Sequence, residues 1–274
     1  MKVSVIIPTF NRAHILGRAV ESVLSQTERG LEVIVVDDHS TDGTKELVKQ
    51  LGVKYVLNKH SRGPAGARNQ GLEKASGKYV AFLDSDDTWF SWHLEESLSC
   101  MKTAHLDACY ALWYRERGSV WEHYPKEWLE ILKKDLNLQQ LGSVILLGNA
   151  IAEYMVAKPF WCFHIDTLVA KKRALLDCGM FDESFRSAED LELSFRLLLG
   201  TPTGLINKCH ARYYEGDDNI VAMRNESPAK KRRFNRNMVK AFKKIRRLIE
   251  ESPSILDKAL CREQLAKKIK NYAS

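Results

Sequence analysis

No apolar run in this sequence is long enough to cross a bilayer. The most apolar segment, VILLGNAIAEYMVA at 144–157, is too short and carries Glu153. A secretory leader is not expected either, because Pro8 interrupts the short apolar run of MKVSVIIPTFN before a leader's hydrophobic region can form. The six cysteines (100, 109, 162, 178, 209 and 261) show no paired metal-type spacing, and they read as free thiols of a reducing cytoplasm. Internal repeats are missing, and no low-complexity run precedes the C-terminal tail. These absences exclude membrane-spanning, disulfide-framework, zinc-finger and solenoid classes. A soluble globular chain of 274 residues remains, long enough to bury a sizeable core.

Charge is distributed unevenly. Residues 228–274 hold 15 of the 42 Lys and Arg but only 4 of the 35 Asp and Glu, a net +11, so the rest of the chain carries −4. The expectation is a mildly acidic body at 1–227 with a basic helical tail at 228–274. The body is expected to divide into halves at 1–90 and 91–227, with a variable insertion at 90–160.

Along the body, continuous apolar segments alternate with amphipathic ones. VSVII (3–7), LEVIVV (31–36), VKYVLN (53–58) and KYVAFL (78–83) read as buried strands. Residues 13–26 and roughly 43–50 read as helices, as does the segment after the glycine-rich loop that begins at His60. This is the pattern of an α/β fold with a mainly parallel mixed sheet covered by helices on both faces. Ligands of such sheets bind at the carboxyl ends of the strands. Here those ends carry PTFN, DDHS and DSDD, so polar residues gather on one rim.

The crowding of Asp84, Asp86 and Asp87 needs a physical reason, since carboxylates at the end of a buried strand repel one another and resist desolvation. In an extended chain Asp84 and Asp86 share a side, and hard oxygen ligands there suit Mg²⁺ or Mn²⁺. The plainer reading is an acidic turn. Asp38 follows a strand, where a carboxylate can accept bonds from a ribose or base; it can equally cap the next helix, a task open also to Ser40 or Thr41. Arg68 sits near a helix start among small residues, a position suited to an anion. Ser187-x-x-Asp190 has capping-box spacing, and from spacing alone capping explains Glu189 and Asp190 better than catalysis does. Trp161 and His164 are candidates for lining an acceptor pocket.

Taken together, VSVIIPTFNR, EVIVVDDHSTDGT, GPAGARNQGL, YVAFLDSDDTW and FDESFRSAEDLELSFRL resemble the family-2 glycosyltransferases of the GT-A fold, over about 3–90 and 163–200. The resemblance implies a nucleotide-diphosphate-sugar donor, with a UDP-sugar as first choice, and an inverting transfer to a sugar or lipid-linked acceptor in cell-surface polysaccharide or glycolipid assembly. It implies that Pro8 and Thr9 line the nucleotide pocket, that Asp38, Arg68 and Asp84 contact the nucleotide, that Asp86 with Asp87 binds Mn²⁺ or Mg²⁺, and that Asp190 is the catalytic base supported by Glu189. One departure stands out. Many relatives carry a late His in the metal or diphosphate site, and here that position holds Gly216 or Asp217, with His210 lying too early.

A rival phosphatase reading takes VAFLDSDDT as a haloacid-dehalogenase start with Asp84 as nucleophile, but three strands precede it where that family has none. A non-catalytic nucleotide-binding module would be expected to lack the base or the acidic pair. In the tail, Phe234, Met238, Ala241, Phe242, Ile245, Leu248 and Ile249 fall on one helical face. That stripe suits either peripheral docking on an anionic membrane surface or packing on the body or on a second copy in a homodimer. Nucleic acid is not expected as a partner, since no accompanying motif is present.

Overall fold

The computed structural model describes residues 2–117, 120–124, 126–157, 163–215, 227–253 and 255–273. Its first half runs β1 (Val3–Thr9), α1 (Leu16–Leu24), β2 (Leu31–Asp37), α2 (Thr44–Gln50), β3 (Lys54–Leu57), α3 (Pro64–Lys74) and β4 (Tyr79–Phe82). The second half adds β5 (Thr88–Trp89), α4 (His93–Thr103), β6 (Ala108–Arg117), β7 (Val120–Tyr124), α5 (Lys126–Leu136), β8 (Gln140–Leu141), β9 (Val144–Leu147) and α6 (Asn149–Ala157). After a short 3₁₀ turn at Ile165–Thr167 come β10 (Val169–Lys171), α7 (Lys172–Asp177), α8 (Glu189–Gly200) and β11 (Thr203–Tyr213), and the tail forms α9 (Pro228–Glu251) and α10 (Lys258–Ala273).

One mixed sheet runs β3-β2-β1-β4-β10-β6-β11-β9-β8, with β5 and β7 off that path. The expected α/β architecture is present. Its parallel part is the first four strands, which all point their carboxyl ends the same way; β10 then pairs antiparallel to both β4 and β6. Every residue of β1 is buried, as its uninterrupted Val and Ile run requires of a strand covered on both faces.

The structure corrects four local expectations. Helix α1 begins at Leu16, because Ile15 and Leu16 turn back to the Arg12 carbonyl at 3.0 and 2.9 Å. Neither Ser40 nor Thr41 caps α2; Asp42 accepts from the Thr44 amide at 3.0 Å instead. Segment 90–160 is not an insertion outside the sheet, because its small and apolar run Ala108–Leu112 is buried in the middle of it as β6. The fourth correction is the capping box. Ser187 does not cap α8, whose N-cap is Ala188 in the left-handed region (φ 66°) without a side-chain cap bond, and Ser187 Oγ accepts from Asn237 at 2.9 Å.

The tail's apolar stripe lies on the body. Ala241, Phe242, Ile245 and Ile249 are buried against α8 and α10, each contributing about 1–3 kcal/mol. Lys244 fastens the same helix through Asp182 at 2.7 Å and the fully buried Glu192 at 3.0 Å. These four side chains are therefore taken up by protein packing, while Phe234, Met238 and Leu248 stay half-exposed and Arg236, Lys243 and Arg247 remain exposed. Among the described residues no helix is long and apolar enough to cross a membrane.

Candidate active site

A single cleft of about 1590 Å³ opens at the carboxyl ends of the parallel strands. All nine residues expected to bind or act there line it: Pro8, Thr9, Asp38, Arg68, Asp84, Asp86, Asp87, Glu189 and Asp190. They come from five separate stretches: the ends of β1, β2 and β4, helix α3 and the start of α8. Thr9 pairs with Asp37 across β1 and β2, and the Asp38 amide donates to the Thr9 carbonyl at 2.8 Å.

Asp38 does not cap a helix. Its carboxylate accepts from Asn58 Nδ2 at 2.7 Å and from the Gly63 amide at 2.8 Å, which fixes the loop before α3. Helix α3 is buried on nearly all sides, so its residues must be small where backbones approach. A Cβ on Gly66 would stand 1.9 Å from the Ser61 carbonyl oxygen, a contact no side chain can make. The close approach sets the height at which Arg68 enters the core.

Arg68 is 2% exposed and holds two carboxylates at once: Nη2 reaches Asp84 Oδ1 at 2.6 Å and Nη1 reaches Glu189 Oε1 at 2.7 Å. Burial works against the buried guanidinium's charge, but Asp84, Glu189 and Asp190 more than offset it and raise its pKa. Glu189 is pushed up to about 6, by burial first and by Asp190, with Arg68 pulling the other way. Asp190 is placed differently. It is half-exposed on the cleft, with Oδ1 accepting from the Leu191 amide at 2.8 Å. The two adjacent acids thus divide into a buried one bound to Arg68 and an accessible one at the mouth of α8.

Asp86 pairs with Arg12 at 2.8 Å, an ionic partner that the sequence reading missed. Asp87 turns inward, where its Oδ1 accepts from the Tyr214 amide at 2.8 Å. There it meets His164 and Asp166, with one ligand atom from each of the three lying within 4.8 Å of the others. Asp166 is fully buried; its Oδ1 accepts from the Asp84 amide at 2.8 Å, and its Oδ2 has no hydrogen-bond partner. Burial and the Asp166 charge push the Asp87 carboxyl well above the usual range, and burial with repulsion from Asp84 brings Asp166 up to about 6. Burial and mutual repulsion disfavour two charges here at once, and a bound cation would relieve both. An orphaned buried carboxylate oxygen beside a second carboxylate and an imidazole fits a divalent cation such as Mn²⁺.

His164 therefore stands in this cluster, where an acceptor pocket was expected, while Trp161, Gly216 and Asp217 lie outside the described residues. His210 is not at the site: it is buried, 3.1 Å from His93, as its early position led us to expect. Asp166 was missed because a lone Asp in FHIDTLVA carries no spacing signal. The FDESF motif finds its role here too. Glu183 accepts from Asn69 Nδ2 at 2.9 Å and the Ser61 amide at 3.0 Å, tying the approach to α8 onto α3.

A family model described as glycosyl transferase family 2 matches residues 4–152. An uncharacterized glycosyltransferase of Rickettsia bellii (strain RML369-C) is 34% identical over 219 residues, 77% of this chain and 29% of that protein. The Escherichia coli UDP-Glc:alpha-D-GlcNAc-diphosphoundecaprenol beta-1,3-glucosyltransferase WfgD is 40% identical over 111 residues, 39% of this chain and 44% of its own length. The chain thus spans less than half the length of these two relatives. Two solved structures share the fold. Staphylococcus aureus TarS 1–349 in complex with UDP matches with a TM-score of 0.68 at 21% identity, over 99% of this chain and 72% of that one. The mannosyltransferase PcManGT of Pyrobaculum calidifontis in complex with GDP-Man and Mn²⁺ matches with a TM-score of 0.65 at 20% identity, again over 99% and 72%.

Replacing Arg68 by Met should leave Asp84 and Glu189 facing each other without their cation and destabilise the fold by about 3–5 kcal/mol in equilibrium urea unfolding. A loss under about 1 kcal/mol would show that the bridge is not structural. Arg68→Lys, with one head for two carboxylates, should fall between.

Proposed function

The chain belongs to glycosyl transferase family 2, and from that premise we propose an inverting, metal-dependent transfer of a sugar from a nucleotide-diphosphate donor to an acceptor hydroxyl. The observation that carries the reading is a cation-ready cluster of Asp87, His164 and the fully buried Asp166, whose Asp87 and His164 line the same cleft as the accessible carboxylate of Asp190. Pro8, Thr9 and Asp38 form the wall for the nucleoside, with Arg68 and Asp84 beside the ribose and diphosphate. Asp87 is the favoured metal ligand. Asp86 joins it only by giving up its ion pair with Arg12, which is close enough to turn to a phosphate instead. A bound Mn²⁺ or Mg²⁺ would offset the charge that develops on the leaving nucleotide.

Asp190 takes the proton of the acceptor hydroxyl as that oxygen attacks the anomeric carbon opposite the leaving diphosphate, so configuration inverts. Glu189, locked to Arg68, does not compete for this proton and instead positions the start of α8. The phosphatase alternative has no support. Asp84, its required nucleophile, is engaged by Arg68, and the motif ends the fourth strand of a family-2 domain.

A UDP-sugar donor and a lipid-linked acceptor in cell-surface polysaccharide assembly are supported by the activity that names the E. coli relative. On this reading the protein works in the cytoplasm, in peripheral contact with the membrane face. The surface suited to that contact is the outward cationic side of α9, whose attraction to anionic lipid falls with salt. Co-sedimentation with anionic vesicles at low salt, lost at about 0.5 M salt, is the expected result; no binding at low salt would exclude the contact.

Nucleotide release from a panel of UDP-, GDP- and dTDP-sugars, with and without Mn²⁺, tests the reaction itself. Release from one donor should require metal, and Asp190→Asn should lower kcat by about 10²–10⁴-fold with UDP binding retained. Metal-independent release, or full activity in Asp190→Asn, would overturn the mechanism.

A further inference from the structure

The cleft has two ends of different character. Among the described residues its six carboxylates, from Asp38 to Asp190, lie at the strand rim and at the start of α8, interleaved with Arg12, Arg68 and Arg186. The far wall is built by the tail: Lys230, Arg233, Phe234 and Met238 line it from one face of α9, and Lys268 and Tyr272 from one face of α10. Among the described residues this wall contributes three cations and no acid. Among the described residues neither Arg233 nor Arg186, which faces the cleft beside Gly63, has a carboxylate within ion-pair distance.

Beneath the cations the wall is aromatic. The Tyr272 ring lies tilted 6.4 Å from that of Phe234 and 5.7 Å from that of Phe242, and Lys268 Nζ lies 5.8 Å from the Phe242 ring centre. Met155 and Val156 of α6 extend the apolar surface. Asn237, one turn along from Arg233, donates to Ser187 at 2.9 Å. The tail wall is thereby moored three residues from Asp190, within the same cleft as the base.

Resting on the transferase reading, we propose that the 228–274 helices form the acceptor subsite: Arg233, Lys230 and Lys268 hold the phosphate or diphosphate of the acceptor, and Phe234, Phe242 and Tyr272 hold the first part of its hydrocarbon chain. A cationic rim over an aromatic floor matches an amphiphile whose anionic group adjoins a lipid. A free sugar would use neither part. The arrangement also gives the tail a task beyond stability: it selects acceptors that carry a phosphate, while the strand rim selects the donor.

Farnesyl diphosphate is the probe, titrated calorimetrically into the full chain saturated with UDP and Mn²⁺, with farnesol and inorganic pyrophosphate as controls. Farnesyl diphosphate should bind alongside UDP, and each control at least about tenfold more weakly, since each lacks one half of the ligand. Arg233→Gln should weaken farnesyl diphosphate about tenfold or more, the loss of one charge-assisted contact, with UDP affinity unchanged within about twofold. Arg232→Gln, one position along and outside the cleft lining, should leave the affinity as it was; it controls for a general loss of positive charge. Equal affinity in wild type and Arg233→Gln, displacement of farnesyl diphosphate by UDP, or pyrophosphate binding as tightly as farnesyl diphosphate would each overturn the subsite. Binding of farnesyl diphosphate without any binding of UDP would instead remove the donor reading and leave the subsite standing.

Discussion

The guanidinium of Arg68 is shut away from water, and a buried cation persists only where anions surround it closely. Asp84 and Glu189 supply that surrounding at 2.6 and 2.7 Å. The two acids come from the end of β4 and the start of α8, more than a hundred residues apart in sequence. Their shared cation therefore sets the distance between the nucleotide half of the cleft and the helix that carries Asp190. Helix α3 can place Arg68 there because its packing faces are small, and because Asn69 binds the backbone of Phe181 and the carboxylate of Glu183 on the approach to α8.

The crowd of carboxylates on the rim is tolerated by giving each one its own partner. Asp38 has two N–H donors, Asp84 has Arg68, and Asp86 has Arg12. Asp87 and Asp166 each accept one backbone N–H, from Tyr214 and Asp84, and otherwise face each other and His164, whose Nδ1 lies 3.4 Å from the Asp166 Oδ2 that accepts no hydrogen bond. A protein interior keeps such a pair only as a protonated acid or as a cation's ligands. The proposal assigns the catalytic proton transfer to Asp190, which is half-exposed on the cleft at the start of α8.

Much of this was legible in the sequence, for a physical reason. A parallel sheet covered on both faces needs uninterrupted apolar strands, so β1, β2 and β4 stand out, and the polar residues just past their ends fall on one rim. What could not be read depends on tertiary contacts with no local pattern. Asp166 is a single acid whose acidic neighbours, Asp84 and Asp87, lie 82 and 79 residues away in sequence. Strand β6 was hidden because its buried run, Ala108–Leu112, is short and flanked by tryptophan-bearing segments. Ser187 has the spacing of a cap, yet Ala188 takes a left-handed turn and frees the Ser187 hydroxyl for Asn237. The tail's amphipathicity was plain in the sequence, but a helical stripe looks the same whether it meets lipid or protein; only the positions of α8 and α10 decide for protein.

The central claim is that the unpaired acids of the rim and the nucleotide share a divalent cation. Calorimetric titration of UDP at pH 7.5, in Mn²⁺ and again in EDTA, addresses it most directly. The account predicts UDP affinity at least about tenfold higher with Mn²⁺, and loss of that difference in Asp87→Asn. Equal UDP affinity in Mn²⁺ and EDTA would contradict it.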